Sequence, residues 1–389
     1  MKQVFVTGIG IVSSLGIGRV ATFKQLAAEE SGIAKTTLFG KEIFVGQVPL
    51  TNKELQRQLA IPQEEVVSRT ALLGLLAAKE AWGSNREGGL RTAFINSSTV
   101  GGMDLSEQYF SSENKEANAN LFLMHDLGTI TNYIARSVGD FGYVSTISTA
   151  CSSAANAIMH GGQLIENGHF DRVLVGGADA LSNFTIQGFQ SLMVYSDKWC
   201  MPFDENRTGL NLGEGAAYLV LESEESMTAS GNVPLAVLSG WANANDAYHS
   251  TGTSPEGFGA QKSMQAALHK AGLAISEIDY INAHGTATGN NDSSELAAMQ
   301  AVFGHNLPLY SSTKAFTGHT LAPAGALEAV FSILALQNNL VFANINCATP
   351  IDASGSLVLQ TAVHETKTVL SNSFGFGGNC TSLIFKQAV

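Results

Sequence analysis

One unit recurs along the chain and narrows the folds open to it: an apolar, β-branched run, a turn of Ser, Thr and Gly, then an alanine-rich stretch. "VSTISTACSSAANAIM", residues 144–159, passes in this way from buried strand to helix, and "LYSSTKAFTGHTLAPAGALEAVFSILAL" repeats the layout from Leu309 onward. "RTAFINSSTVGG" and "DYINAHGTATGN" likewise share a strand that runs into a Thr/Gly turn. Such alternation is the signature of an α/β fold. Strands are predicted at 4–7, 92–96, 144–149, 172–175, 216–222, 234–239, 279–282, 308–312, 369–371 and 381–386. Helices are predicted at 69–82, 152–167, 261–271, 294–303 and 325–338. The echo points to two similar halves, 1–230 and 231–389, related by a pseudo-twofold axis, with ligands gathered where strands end.

Composition bounds the function. The hydrophobic share of 45% against 14% charged residues supplies an extensive core, and 40 glycines with 8 prolines imply many tight turns. A net charge of −12 argues against nucleic acid as a partner. Four scattered cysteines with no C-x-x-C pair argue against a zinc site or disulfide framework and suit a reducing cytoplasm. The start, "MKQVFVTGIGIVSSLGIG", resembles a signal peptide only loosely, because glycines break its apolar run; it reads as a buried strand and glycine turn. No stretch reaches transmembrane length, so no membrane role is expected.

Four turns carry reactive residue types. Cys151 stands where the first unit passes from strand to helix, so its sulfur meets the unpaired N–H groups of a helix N-terminus. There a thiolate is favoured, below the free-thiol value of about 8.5. His284 lies in a turn with Gly285, Thr286, Thr288 and Gly289; Lys314 and His319 share another; Phe374 and Phe376 sit among glycines in "SNSFGFGGNCTSLIF". Singly, these have ordinary uses: a capping histidine, a snorkelling lysine, a tight hairpin. Together they offer a nucleophile for an acyl group, N–H donors for an oxyanion and imidazoles for an enolate.

In this order the cysteine motif, "NAHGTATGN", "SSTKAFTGH" and "FGFGG" resemble the elongating β-ketoacyl-acyl carrier protein synthases of the thiolase-like superfamily, over nearly the whole chain. The resemblance implies a layered α-β-α-β-α core and a decarboxylative Claisen condensation. It implies Cys151 as the acyl acceptor, and His284 and His319 as the pair that assists loss of carbon dioxide from malonyl carrier protein. Lys314 and Glu328 stand beside them. The N–H groups of Cys151 and Phe376 form the oxyanion hole, Phe374 gates the two substrates, and Thr286 and Thr288 hold the phosphopantetheine arm. Asn282, Glu295, Glu328, Ser371 and Asn372 match positions around a structural monovalent cation in some relatives. No redox cofactor or catalytic metal is implied; substrates arrive on acyl carrier protein. Arg207 matches a basic position for docking that acidic partner, with Arg69, Arg136 and Lys198 as weaker candidates.

"VGGMDLSE" and the short chain resemble ketosynthases of aryl-polyene and flexirubin clusters, which implies a homodimer or a heterodimer with a chain-length-factor-like homologue. Asn379 and Cys380 follow "FGFGG" where Thr-Asn is commoner in the family. Three alternatives stand beside this reading: a thiolase-like acyl-CoA enzyme with Cys380 as its second cysteine, a non-catalytic chain-length-factor-type subunit, and a cysteine hydrolase using Cys151 and His284.

Overall fold

The computed structural model describes residues 2–83 and 89–388. Ten strands follow one path: β1 (Val4–Ser13), β2 (Thr92–Ser97), β3 (Tyr143–Ile147), β4 (Arg172–Asp179), β5 (Gly215–Ser223), β6 (Ala236–Asn245), β7 (Tyr280–Asn282), β8 (Leu309–Ser311), β9 (Thr368–Gly375) and β10 (Asn379–Lys386). Their spatial order is β8-β7-β9-β10-β6-β1-β5-β4-β2-β3, and the two-residue strand Gly16–Ile17 pairs with β1 off that path. From β3 inward the pairings run parallel, parallel, antiparallel, antiparallel to β1. From β8 inward to β6 they run the same way. Among the described residues the two sets of five pair with each other at Phe5–Val237 and Val6–Ala236.

The helices that matter to the site are α1 (Arg69–Trp82), α2 (Leu127–Val138), α3 (Ser153–Glu166), α4 (Asn183–Ser191), α5 (Phe258–Ala271), α6 (Gly289–Phe303), α7 (Lys314–Thr317) and α8 (Ala324–Asn338). Three apolar clusters divide them into layers. In one, Leu72 and Leu75 of α1 and Ile134 of α2 pack on Leu174 and Val220 of the first five strands. Ile158 of α3 and Val330 and Phe331 of α8 fill the space between the two sets. Met264 of α5 and Met299 of α6 cover Leu370 and Ile384 on the far side. The result is α-β-α-β-α. Helix α8 is buried at every residue from Ala324 to Leu336, which explains why its sequence is apolar all round rather than amphipathic.

Some elements run longer than the sequence reading. β1 was expected to stop at residue 7, before its glycines, yet it continues to Ser13. At Gly10 a Cβ would lie 2.1 Å from the Ala77 carbonyl oxygen, so this glycine is the contact point that lets α1 lie against the strand. α6 begins at Gly289, five residues before the expected start, because Asp292 binds back to the preceding turn. Helices α2 and α4 were not anticipated. No described helix is long and apolar enough to cross a membrane.

Candidate active site

β3 and β8, and the helices that follow them, present two turns to each other. In the first, Ala150 adopts a left-handed conformation (φ +53°) and Cys151 follows it, two residues before the first residue of α3. Ser153 closes the turn, its Oγ accepting the Thr149 N–H at 2.8 Å. In the second, Lys314 opens α7 and His319 follows it, with the His319 N–H donating to the Asn211 carbonyl at 2.8 Å. His284 comes from the turn after β7. There Glu295 accepts the N–H groups of His284 (2.9 Å) and Gly285 (2.8 Å), while Asp292 accepts those of Thr286 (2.9 Å) and Ala287 (3.1 Å). Two carboxylates one turn apart on α6 therefore fix the histidine's backbone.

These turns converge. Cys151 Sγ and one ring nitrogen from each of His284 and His319 all lie within 4.8 Å of one another, and all three side chains are buried. The imidazoles meet edge to face with centroids 5.5 Å apart. Their second nitrogens are committed: Nδ1 of His319 accepts the Leu321 N–H at 3.2 Å, and Nδ1 of His284 faces Lys314 Nζ at 3.1 Å. A neutral ring that accepts at Nδ1 carries its hydrogen on Nε2. Burial, reinforced by Lys314, holds both rings well below the usual 6.5 and thus neutral. His319 Nε2 has no hydrogen-bond partner among the described residues. The trio has the spacing of a metal cluster but the wrong tautomer for one, since metal-bound histidines donate from their other nitrogen. It is arranged to donate hydrogen bonds instead. For the same reason the hydrolase alternative fails: neither Nε2 offers a lone pair to deprotonate the thiol.

A cavity of about 400 Å³ opens beside the three residues, lined among others by Phe189, Val194, Leu210, Thr286, Thr288 and Phe374. Thr286 and Thr288 hydroxyls are 2.9 Å apart. Phe374 lies against His284 with centroids 5.8 Å apart, and Phe376 stacks on Phe189. The backbone N–H groups of Phe376 and of Cys151 itself both favour the thiolate. At Gly375 a Cβ would sit 2.8 Å from the Thr149 carbonyl oxygen, so glycine is what lets this hairpin close on the cysteine turn.

Four expectations need correction. The thiol is not lowered: burial outweighs Lys314 and the N–H groups, and Cys151 is pushed up to about 11. Lys314 does not line the cavity. It lies behind His284, donating to the His284 carbonyl and paired with buried Glu328. Arg207 is no free dock, since its side chain is 9% exposed and its N–H groups hold the carbonyls of Asp204, Thr288 and Gly289. Arg69 is similarly tied to Glu214 at 2.6 Å, while Arg136 lines a shallow surface cavity and Lys198 is exposed. The fourth concerns the cation set. Asn282 and Ser371, partners in register, leave buried oxygens unpartnered, and Asn372 Nδ2 reaches Glu295 at 3.3 Å. These oxygens suit a monovalent cation, but Glu328 is engaged by Lys314 and Ser373 and drops out.

Residues 1–226 match the β-ketoacyl synthase N-terminal domain and residues 235–348 the C-terminal domain of the same family. The chain belongs to the β-ketoacyl synthase family. It is 30% identical over 407 residues to the 3-oxoacyl-[acyl-carrier-protein] synthase 2 of Staphylococcus aureus (strain COL), covering 99% of this chain and 98% of that protein. Among solved structures, the ishigamide ketosynthase/chain length factor superposes with a TM-score of 0.92 at 29% identity over 100% of both chains. The ketosynthase ApeO, solved with its chain length factor ApeC from Xenorhabdus doucetiae, superposes at 0.88 with 33% identity, over 100% of this chain and 98% of that one. The layered sheet is thus the thiolase-like fold of ketosynthases.

In this β-ketoacyl synthase, sequence reasoning missed two groups around the site. Asp179, at the end of β4, accepts from Ser98, Thr99, the Val100 N–H and the Ala322 N–H, which ties the loop after His319 to the first five strands. A lone Asp at a strand end carries no spacing signal. Asn379 was noticed only as a departure from the commoner Thr; its partners lie more than a hundred residues away.

Proposed function

We propose that this synthase elongates an acyl chain held on Cys151 by decarboxylative condensation with a malonyl thioester, both substrates arriving on the phosphopantetheine arm of an acyl carrier protein. The convergence of Cys151, His284 and His319 within 4.8 Å carries the reading. In the first step Sγ attacks the acyl thioester; the C–S bond to the carrier breaks, and the thiol proton leaves with the carrier sulfur. The N–H groups of Cys151 and Phe376 receive the tetrahedral oxyanion, the stabilisation that fixed donors supply best. In the second step the malonyl carboxylate departs as carbon dioxide, and the two Nε2–H groups accept the charge that develops on the thioester oxygen. The enolate carbon then attacks the acyl group, and Cys151 leaves as thiolate and takes up a proton. Lys314 and Glu328 act through His284 as positioning residues. The chemistry needs no redox cofactor or catalytic metal. A monovalent cation held by Asn282, Ser371 and Glu295 would offset the buried charge of Glu295, which burial raises to about 7.

Residues 1–230 form the half that carries the nucleophile and 231–389 the half that carries the His and Lys residues. β3 pairs only with β2 among the described strands and leaves Tyr143 and Val144 part-exposed, as a strand covered by a second chain would. The partner is another copy or a chain-length-factor-like homologue, as in the ketosynthase complexes with their chain length factors. We place the protein in the cytoplasm and its pathway in fatty-acid or aryl-polyene-type polyketide synthesis. Cys380 is buried, paired in register with Phe374 on the neighbouring strand, and absent from the cavity lining, so it offers no second cysteine of the thiolase kind. Intact-mass measurement after incubation with a panel of acyl carrier proteins should show one acyl adduct, absent in Cys151→Ala, and malonyl carrier protein should then release carbon dioxide. An adduct that persists in Cys151→Ala, or none in the native protein, overturns the reading; so does turnover by a Cys151→Ala protein, which is what a non-catalytic subunit with an active partner would allow.

A further inference from the structure

The cysteine turn and the glycine hairpin belong to different halves of the chain, yet the proposed oxyanion hole draws one N–H group from each, and the two segments touch: a Cβ on Gly375 would lie 3.2 Å from the Cys151 nitrogen. Something must hold them in register. Three donors converge on one atom, Asn379 Oδ1: Ser152 Oγ at 2.7 Å, Asn156 Nδ2 at 2.8 Å and Asn243 Nδ2 at 2.7 Å. Ser152 is the residue after Cys151, Asn156 lies one turn into α3, and Asn243 is on β6. Asn379 itself is three residues beyond Phe376, at the start of β10. The orientation of its amide is fixed by the network, because Asn156 Oδ1 is itself taken by Thr381 Oγ1 (2.8 Å) and Asn243 (3.1 Å). Asn156 Nδ2 also reaches Thr149 Oγ1 at 2.9 Å, so the clamp grips the cysteine turn on both sides of the nucleophile.

We infer that Asn379 is a positioning residue that sets the spacing between the Cys151 and Phe376 N–H groups and so assembles the oxyanion hole across the two halves. Its oxygen is the shared acceptor; a side chain without a forward-reaching carbonyl cannot hold all three donors. The inference rests on the proposed acylation of Cys151, and the test separates the two.

The discriminating comparison is between two reactions of the same sulfur. Acyl transfer from a thioester passes through an oxyanion and needs both N–H groups; alkylation by iodoacetamide forms none and needs only an accessible thiol. In Asn379→Ala, loading from acyl carrier protein should slow by about 10- to 100-fold, less than the roughly 100- to 1,000-fold that complete loss of an oxyanion donor costs. Alkylation of Cys151 should change by less than about threefold on the same scale of effects. Asn379→Asp, which keeps the acceptor, should recover most of the loading rate, whereas Asn379→Leu should behave like the alanine variant. Equal loading by Asn379→Ala and the native protein would overturn the inference, as would parallel loss of both reactions or failure of aspartate to rescue. If the native protein itself loads no acyl group on Cys151, it is the functional reading that falls.

Discussion

At the scale of single residues, the site works with neutral groups. The thiol is pushed up to about 11 by burial, and both imidazoles are held neutral by the same cause. The rate of Cys151 alkylation should therefore keep climbing past pH 9 rather than level off near the ordinary thiol value of about 8.5; a plateau near pH 7 would show a thiolate that the geometry does not favour. Behind the rings, Lys314 and Glu328 form a buried pair in which each needs the other. Removing one partner of such a pair costs about 3–5 kcal/mol because the other charge stays buried alone. Lys314→Met should thus lower the melting temperature sharply, and Lys314→Met with Glu328→Leu should regain much of it. Both variants should lose about 10- to 100-fold in carbon dioxide release with acyl loading little changed, since a hydrogen bond from a charged donor to His284 is worth about 1.5–3 kcal/mol. Equal loss of loading and decarboxylation would show instead that the pair acts on the whole site.

At the scale of elements, close approach governs. Gly10→Ala would place a methyl group against the Ala77 carbonyl, a backbone atom that cannot swing aside. Separation of α1 from β1 should cost about 1–3 kcal/mol, as overpacking does, readable as an earlier chemical-denaturation midpoint; an unchanged midpoint would mean the helix shifts freely. This contact also shows how legible the elements were. The strand–turn–helix units were readable because apolar period and small residues mark them locally, and they delivered Cys151, His284, Lys314 and His319 to their turns. The continuation of β1 through its glycines was not readable, because it depends on a helix sixty residues later. The roles of Asp179 and Asn379 were hidden for the same reason: Asp179 accepts from Ser98, Thr99 and the N–H groups of Val100 and Ala322, and Asn379 from side chains of the cysteine turn, α3 and β6, partners that only the finished fold brings near.

At the scale of the whole molecule, the buried histidines tie stability to pH. Their folded values lie below the unfolded 6.5, so the unfolded chain binds more protons between those values. The stability they contribute is complete above about pH 6.5 and is lost as pH falls toward their folded values, by up to about 1.4 kcal/mol per pH unit for each ring. Raised carboxylates such as Glu295 act in the opposite direction, so the comparison must be made against a variant: His319→Asn should lose less stability than the native protein between pH 7 and pH 5. Matching slopes would mean that His319 titrates in the folded protein as it does in the unfolded chain. The cavity has one more property that follows from where Lys314 points. Among the described residues no Lys or Arg lines it, so an anionic carboxyl group brought in on a carrier arm would find no counter-ion; loss of carbon dioxide moves that charge off the carboxylate and onto the thioester oxygen, where the two imidazole N–H groups can receive it.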